Sequence, residues 1–344
     1  MTGGAISLDF APLAFALLLA IAFGVSAGLV AVLRPLLVRY VMAKPNQRSS
    51  HRVPTPQGGG IAVIAAVVIA VACAFVIVPD ITGAAATLAI LIAATLGLAI
   101  VGVSDDIRPL GAAPRLVLQA LAVGIVIYIL PSDFRIVPFL PYWLEVALML
   151  VAGVWLVNLI NFMDGIDLMT VSETVPITAG LLIAAAFGAL PADGAVVAAA
   201  LCGAMLGFAP FNKPIAKIFL GDVGSLPIGL LLFWLLLLLA GNGHLAAALL
   251  LPLYYVADAT ITLIRRFIAG EQVTQAHRSH FYQRALDGGL TVPVIITRVI
   301  ILNVSLIVLA VTTILFPSLE TDAIAMAAGC ALVGFRLYRF QRSA

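Results

Sequence analysis

Apolar runs of about 20 residues recur along the whole chain, and this repetition limits what the sequence can fold into. A run of that length, wound as a helix, crosses the roughly 30 Å hydrocarbon core of a bilayer. Backbone groups inside lipid need partners within the segment, so helices are the crossing elements that such runs predict. The composition agrees, since 63% of the 344 residues are hydrophobic, 10% are charged and the mean hydropathy is +1.18. The predicted fold class is therefore all-α, a polytopic membrane protein embedded in a lipid bilayer.

Division of the runs at proline, glycine and charge clusters predicts eleven transmembrane helices. They cover residues 10–33, 58–78, 83–103, 114–130, 143–161, 172–190, 194–210, 223–240, 244–266, 291–316 and 322–338. Lys and Arg orient them, because these residues concentrate in cytoplasmic loops. With the first connection inside, 17 of the 18 Lys and Arg residues fall on the cytoplasmic side and only Arg135 lies outside. The prediction is one integral membrane domain, residues 1–344, with its N-terminus out and its C-terminus in.

Most polar side chains lie in the predicted cytoplasmic loops, whereas the outer loops are short and carry turn residues. The polar loops cover about residues 34–60, 104–115, 158–173, 211–225 and 265–291. A net charge of +2 gives no support for nucleic acid as a partner. The three cysteines have neither paired nor metal-ligand spacing, so they are predicted to pack as small apolar residues. A catalytic site, if present, is therefore expected on the cytoplasmic loops.

Five aspartates lie at predicted helix ends on that side of the membrane. They are Asp105, Asp106, Asp164, Asp167 and Asp222. Like charges gathered at one face resist joint ionisation unless a cation joins them. Carboxylates are ligands of hard divalent cations, so the group predicts Mg²⁺, with Mn²⁺ as the alternative. Each aspartate taken alone is equally compatible with a solvated helix cap, because Asp is common at N-caps.

Three further segments carry groups suited to phosphate. Gly221–Ser225 follows Lys213 and Lys217 and opens a predicted helix, where close backbone approach and unpaired N–H groups favour anions. The segment His277–His280, with the sequence HRSH, places two imidazoles around a guanidinium and suits a phosphate or diphosphate. Two histidines three positions apart, without cysteine or a nearby carboxylate, give only weak support for a zinc site. The basic loop Lys44–Gly60 has two interpretations, a topogenic loop or a part of the pocket.

Asp258 is unusual because it lies inside the ninth predicted span, about two turns before Arg265 and Arg266. An intramembrane carboxylate is costly and usually faces the bundle interior or a wet cavity. Two interpretations stay open: Asp258 orients an active-site base, or it packs against a buried polar partner.

From about Lys44 to Asp287, these segments follow the order found in a known family. The motifs are KPNQRSSHRVPTPQGGG, SDDIRPL, NLINFMDGID, FNKPIAKIFLGDVGS, PLYYVAD and AHRSH. The chain thereby resembles the polyprenyl-phosphate N-acetylhexosamine-1-phosphate transferases of glycosyltransferase family 4. The resemblance implies transfer of N-acetylhexosamine-1-phosphate from a UDP-N-acetylhexosamine to undecaprenyl (polyprenyl) phosphate, with release of UMP. It also implies the bacterial inner (plasma) membrane and a cytoplasmic active site, and it leaves a homodimer open.

The resemblance assigns roles residue by residue. Asp222 would bind Mg²⁺ with Asn161 as a second ligand, and Phe219 would stack on the uracil. Asp105 and Asp106 would lie beside the lipid phosphate. The other residues implied for the substrates are Lys44, Asn46, Arg48, His51, Asp164, Asp167, Asn212 and Arg278. The residues implied as catalytic are Asp105, Asp106, His277 and His280.

The predicted role of Asp105 and Asp106 follows from the acceptor's own chemistry. A phosphate monoester has a second pKa of about 6 and is largely ionised at neutral pH. We therefore expect the two aspartates to orient the lipid phosphate and organise the metal more than to remove a proton. Transfer in one step and transfer through a covalent aspartyl intermediate both stay open.

Two departures from the family pattern narrow the function. Leu168 stands where many relatives carry a glycine, and the histidine motif reads HRSH where the peptidoglycan enzyme has three consecutive histidines. The second departure favours the branch that starts O-antigen chains of lipopolysaccharide, without identifying the sugar. An ion-coupled membrane transporter and a polyprenyl-diphosphate phosphatase are the alternatives. Acids at one face and no visible repeat argue against the transporter.

Overall fold

The computed structural model describes residues 11–40, 42–43, 54–272 and 277–343, and within them the chain is a bundle of helices. The helices are α1 (Ala11–Tyr40), α2 (Gly60–Ile77), α3 (Ala85–Ile107), α4 (Ala112–Tyr128), α5 (Tyr142–Met163), α6 (Met169–Ala186), α7 (Ala192–Asn212), α8 (Asp222–Gly241), α9 (Leu245–Leu250), α10 (Leu253–Ile268), α11 (Phe281–Asp287), α12 (Val292–Leu315) and α13 (Leu319–Gln341). Two short strands, β1 (Met42–Ala43) and β2 (Thr55–Pro56), pair antiparallel, and a 3₁₀ turn covers Pro79–Ala84. The predicted all-α class is confirmed.

The helices match the predicted spans closely. Among the described residues, nine helices are long and apolar enough to cross a membrane, and α4 is a shorter apolar helix. The nine are α1, α2, α3, α5, α6, α7, α8, α12 and α13. The remaining predicted span, 244–266, is not one continuous helix but the pair α9 and α10. Pro252 lies between them, and a proline lacks the N–H that would continue the helix.

Helix α8 forms the centre of the bundle. Its side chains are buried along almost the whole length, including Trp234, and it packs against α3, α5, α9 and α2. The backbone of its first turn packs directly against glycines of α2 and α3. A Cβ atom on Gly60 would lie 2.3 Å from the Gly224 backbone, and one on Gly102 would lie 2.3 Å from the Asp222 carbonyl oxygen. Helices α2 and α3 therefore fix the start of α8, where Asp222 lies.

The first turn of α5 forms an ion pair with the loop that precedes it. Arg135 donates through Nε to Glu145 Oε2 at 2.5 Å, and the Glu145 side chain is 3% exposed. The other oxygen of Glu145 accepts the N–H groups of Ile136 and Val137 at 2.5 and 2.8 Å. The one basic residue predicted to lie outside is thus neutralised by a carboxylate from the first turn of α5.

Candidate active site

Two of the sequence motifs are joined by backbone hydrogen bonds. The N–H of Phe219 donates to the Pro56 carbonyl at 2.8 Å, and the N–H groups of Gly59 and Gly60 donate to the carbonyls of Phe219 and Leu220 at 2.9 and 2.8 Å. The segment after β2 therefore runs alongside the segment before α8. Glycine permits this approach, since a Cβ on Gly59 would lie 2.5 Å from the Phe208 ring.

Asp106, at the end of α3, caps the first turn of α8. Its carboxylate accepts the N–H groups of Asp222 and Val223 at 3.0 and 3.2 Å, and it also accepts the Gln57 amide. These N–H groups have no partner within their own helix, so the cap stabilises the turn. Gly221 adopts a φ of +77°, and a Cβ there would lie 2.7 Å from Asp106 Oδ2. Asp106 thus holds the backbone that carries Asp222.

Four side chains, each from a different helix, meet in front of that turn, and we call them the Asp105–Asp222 cluster: Asp105, Arg115, Asn161 and Asp222. The carboxyl groups of Asp105 and Asp222 are within hydrogen-bond distance of each other. Arg115 Nη1 lies 3.0 Å from Asp105 Oδ2 and 3.9 Å from Asp222 Oδ2. Asn161 donates its amide N–H to Asp222 Oδ1 at 2.7 Å. Two carboxylates this close need positive charge, and Arg115 supplies one unit of it.

The cluster fits a magnesium ion, although its ligand set is small. In the part of the chain that the structure describes, no three His, Cys, Asp or Glu side chains gather as a metal site. Mg²⁺ usually takes one or two protein carboxylates and fills its other positions with water and substrate phosphates. Asp105 and Asp222 would supply the two carboxylates, and Asn161 would add an amide oxygen once its amide group is turned over, because its N–H group here donates to Asp222. Such a site is incomplete until a phosphate binds.

Asp164 lies just beyond α5 and accepts the Thr170 hydroxyl at 2.6 Å. Burial raises the pKa of its carboxyl to about 6, the Thr170 hydrogen bond opposes that rise, and the charges of Asp106 and Asp167 add to it. The raised pKa of Asp164 therefore reflects its burial first and the neighbouring acidic groups second.

Asp167 and Asn212 tie two loops together. Asp167 accepts the Ala216 N–H at 3.0 Å. Asn212 accepts the Leu168 N–H at 2.8 Å and donates to the Ile218 carbonyl at 2.9 Å. Leu168 has a φ of +61°, a left-handed conformation that glycine would adopt at lower cost. The contacts present here position the loops before α6 and α8.

The two histidines of the HRSH segment lie together. Their ring centroids are 4.8 Å apart, and Ser279 Oγ lies 2.8 Å from His277 Nδ1. His280 Nδ1 lies 3.1 Å from Asp258 Oδ1 of α10. Arg278 pairs with Asp287 at 2.7 Å. Asp258 thus contacts a histidine of the HRSH segment that is itself a buried polar residue, so both interpretations of Asp258 stay open.

A cavity of about 830 Å³ opens between α4, α5, α10 and the HRSH segment. Its polar end includes Arg115, Asn161, Asp222, His277, His280 and Gln283. Its apolar wall includes Leu116, Leu150, Val151, Val154, Trp155 and Leu263. The cavity therefore joins a polar, charged end to an apolar channel between helices.

The predicted site residues fall into three groups. Four line the cavity: Asn161, Asp222, His277 and His280. The residues outside its lining are Asp105, Asp106, Asp164, Asp167, Asn212, Phe219 and Arg278, of which Phe219 is half-buried beside β2. The predicted substrate residues Lys44, Asn46, Arg48 and His51 lie outside the described residues.

Sequence reasoning did not single out Arg115, which contacts both carboxylates of the cluster. One signal was available. Arg115 lies in the first turn of α4, where a cation is disfavoured by the helix dipole unless an acid compensates it. Asp105, ten residues earlier in the same loop, was a candidate partner.

Comparison with known proteins places the chain among bacterial membrane transferases. The sequence profile of glycosyl transferase family 4 matches residues 88–240, the stretch from α3 to α8. A decaprenyl-phosphate N-acetylglucosaminephosphotransferase of Mycobacterium tuberculosis (strain H37Rv) is 31% identical over 283 residues, covering 72% of this chain and 69% of the relative. A probable undecaprenyl-phosphate N-acetylglucosaminyl 1-phosphate transferase of Bacillus subtilis is 29% identical over 317 residues, covering 86% of each.

A third relative carries a different substrate in its name. The phospho-N-acetylmuramoyl-pentapeptide-transferase of Geobacillus kaustophilus is 30% identical over 241 residues, covering 61% of this chain and 71% of the relative. The matched stretch of the family profile includes Asp105, Asn161 and Asp222. The chain belongs to glycosyl transferase family 4.

Proposed function

We propose that the protein transfers N-acetylhexosamine-1-phosphate from a UDP-sugar to undecaprenyl phosphate, releasing UMP. The observation that carries this proposal is the shape and lining of the 830 Å³ cavity. Its polar end, with Arg115, Asn161 and Asp222, suits phosphate groups, and its apolar wall suits a hydrocarbon chain. A polyprenyl phosphate has both parts in one molecule. The names of the Bacillus and Mycobacterium relatives describe the same class of transfer.

The residues of the cluster would position the phosphates for an in-line displacement. The acceptor is largely ionised at neutral pH, so it needs orientation more than a base. Asp106 is engaged by two backbone N–H groups and the Gln57 amide, which suits it to hold Asp222 and not to take a proton. A bound Mg²⁺ would supply positive charge that neutralises the negative charge of the phosphate oxygens. Arg115 would add charge-assisted hydrogen bonds to the same oxygens.

The test is UMP release by the purified protein in detergent or nanodiscs, from UDP-N-acetylglucosamine. We expect release only when both undecaprenyl phosphate and Mg²⁺ are present, together with one lipid-linked sugar per UMP. Release of inorganic phosphate from undecaprenyl diphosphate, without UMP, would favour the phosphatase. No lipid-dependent release with any UDP-sugar would contradict the transferase and leave the transporter.

We propose N-acetylglucosamine as the first sugar to test, because two relatives carry it in their names. The HRSH motif supports a product that starts a surface polysaccharide such as O-antigen. A panel of UDP-N-acetylglucosamine, UDP-N-acetylgalactosamine and UDP-N-acetyl-6-deoxyhexosamines ranks the donors by kcat/KM. UDP-N-acetylmuramoyl-pentapeptide as the best donor would contradict this choice.

We place the site on the cytoplasmic side of the plasma membrane. The ends of α3 and α5 and the start of α8 meet at one end of the bundle, and the distribution of Lys and Arg favours that end as the inner one. Single cysteines in the loop 131–141 and in the loop 213–221, each placed in a cysteine-free background, would test it. An impermeant maleimide should label only the first in intact cells.

A further inference from the structure

Asp258 is buried in the described structure, and its carboxylate oxygens accept hydrogen bonds from neighbouring side chains and one backbone N–H. It is 0% exposed, and its Oδ1 lies 3.1 Å from both His280 Nδ1 and the Phe281 N–H. The hydroxyl groups of Tyr254 and Thr262 lie 3.4 and 3.3 Å from its two oxygens. Among the described residues, no Lys or Arg forms an ion pair with it. Burial of a carboxylate costs desolvation free energy, so the hydrogen bonds from its partners must offset that cost.

His280 is held from three sides. It is 1% exposed, and its backbone N–H bonds to Gln283 Oε1 at the start of α11. Its ring stands between the rings of His277 and Tyr282, at centroid distances of 4.8 and 5.8 Å. These contacts fix where the ring lies. They leave open which ring nitrogen carries the proton, and Asp258 Oδ1 is the carboxylate oxygen that lies 3.1 Å from Nδ1.

We propose that Asp258 is a positioning residue for the transfer reaction described above: it holds the proton of His280 on Nδ1 and presents Nε2 to the phosphate end of the cavity. This rests on the proposed function, because His280 lines the cavity that would take the phosphates. A histidine tautomer is set by the hydrogen bond that its other nitrogen makes. A buried aspartate on Nδ1 fixes both the tautomer and the ring orientation. With the proton on Nδ1, Nε2 carries a lone pair and accepts a hydrogen bond from a phosphate hydroxyl or a water molecule at that end of the cavity.

Asp258 also has a structural task, and the experiment must separate the two. Its oxygen accepts the Phe281 N–H, so it contributes to the start of α11. Tyr254→Phe and Thr262→Val each remove a hydroxyl that bonds to Asp258 without touching His280. They are therefore matched controls. They perturb the same carboxylate but leave the contact with the imidazole.

The first test reads the tautomer directly. The chain has four histidines, so ¹⁵N-histidine labelling with His280→Gln as the assignment control gives a short spectrum. We expect a protonated Nδ1 for His280 in the wild type, retained in Tyr254→Phe and Thr262→Val and lost or mixed in Asp258→Leu. An Nε2-protonated His280 in the wild type would overturn the proposal. This readout does not depend on which substrate the enzyme uses, so it stays informative if no UMP is released.

The second test is a double-mutant cycle on lipid-dependent UMP release. Asp258→Asn should lower kcat about 10- to 100-fold, the range seen when the partner of an active-site histidine is lost, with KM for the UDP-sugar changed by less than about threefold. In a His280→Gln background the same change should cost less than about twofold, because Asp258 acts through His280. Equal losses in both backgrounds would show a purely structural role and contradict the proposal. Thermal melting of each variant checks that it is folded.

Discussion

Two acid–base contacts at opposite ends of α5 use the same kinds of residue for different purposes. In the Arg135–Glu145 pair, one carboxylate faces one guanidinium, and both carboxylate oxygens are filled by protein donors. In the Asp105–Asp222 cluster, one guanidinium faces two carboxylates, and Asp106 lies behind them. The Arg135–Glu145 pair holds the loop before α5 against the start of that helix, and the Asp105–Asp222 cluster lies beside the 830 Å³ cavity.

The difference teaches how to tell a structural ion pair from a working site. A balanced, hydrogen-bonded pair has no capacity left for a ligand, so its role is to hold chain segments together. An excess of carboxylates leaves a demand for positive charge, which a divalent cation with a phosphate ligand would meet. The predictions below test this contrast, beginning with the change that should have the largest effect.

Asp222→Asn should reduce lipid-dependent UMP release by about 10³-fold, since several kcal/mol of charge stabilisation around the phosphates would be lost. The fold should survive, because the change removes one of two touching carboxylates. Initial rates at saturating Mg²⁺ and thermal melting measure the two effects. Activity within tenfold of wild type would show that Asp222 does not organise the metal.

Arg115→Gln should lower activity about 10²-fold, as expected when a charged donor is lost from an oxyanion or phosphate site. The variant leaves Asp105 and Asp222 with no guanidinium between them, so Mg²⁺ alone must neutralise both carboxylates and less Mg²⁺ should be needed for half-maximal rate. Arg115→Lys is the matched control, because it keeps the positive charge but loses the planar guanidinium with its paired donors. It should recover part of the activity. An unchanged Mg²⁺ requirement in Arg115→Gln would contradict the shared role.

Glu145→Gln should have the opposite profile, with stability lowered and activity kept. Loss of the charge partner of Arg135 should cost about 1–3 kcal/mol of unfolding free energy, toward the lower end because Arg135 is partly exposed. Lipid-dependent UMP release should stay within about twofold of wild type. A large activity loss in a folded Glu145→Gln protein would break the contrast between the two ends.

Asp164 offers the smallest effect, and its raised pKa comes mainly from burial, with a further contribution from the charges of Asp106 and Asp167. Its pKa is raised from an ordinary 3.8 to about 6, so folding takes up protons between these values. Stability should therefore fall as the pH rises from 4 toward 6, by about 1 kcal/mol after allowance for partial exposure. Asp164→Asn should make the fall smaller by this amount, because other buried carboxyl groups with raised pKa values remain. The measurement is the melting temperature at pH 4.5 and pH 7 for both proteins.

Much of the fold could be read from the sequence because membrane helices are encoded locally. Ten of the eleven predicted spans each match one continuous helix, since an apolar run of sufficient length leaves few alternatives. The break at Pro252 was missed because the apolar run continues through it, and a proline inside such a run can also leave a kinked helix. The helix α11 was missed because it is only seven residues long and has no apolar run.

The residue types of the candidate site could be predicted from the sequence, but the pairs of side chains that contact each other could be predicted less well. Asp222, Asn161, His277 and His280 were singled out, and they line one cavity. The contacts of Arg115 with Asp222 and of His280 with Asp258 depend on how α4, α8 and α10 pack. Residues 22 or more positions apart carry no local signal of their contact. The Asp106 cap on α8 is likewise a tertiary contact, 116 positions apart in sequence.

The most direct test of the account is a Mg²⁺ titration of lipid-dependent UMP release, run in parallel on the wild type, Glu145→Gln and Asp222→Asn after treatment with EDTA. The account predicts no release from any of them without metal. On addition of Mg²⁺, the wild type and Glu145→Gln should recover along the same curve, and Asp222→Asn should remain about 10³-fold lower. Recovery of Asp222→Asn to wild-type rates, or full activity in EDTA, would contradict it.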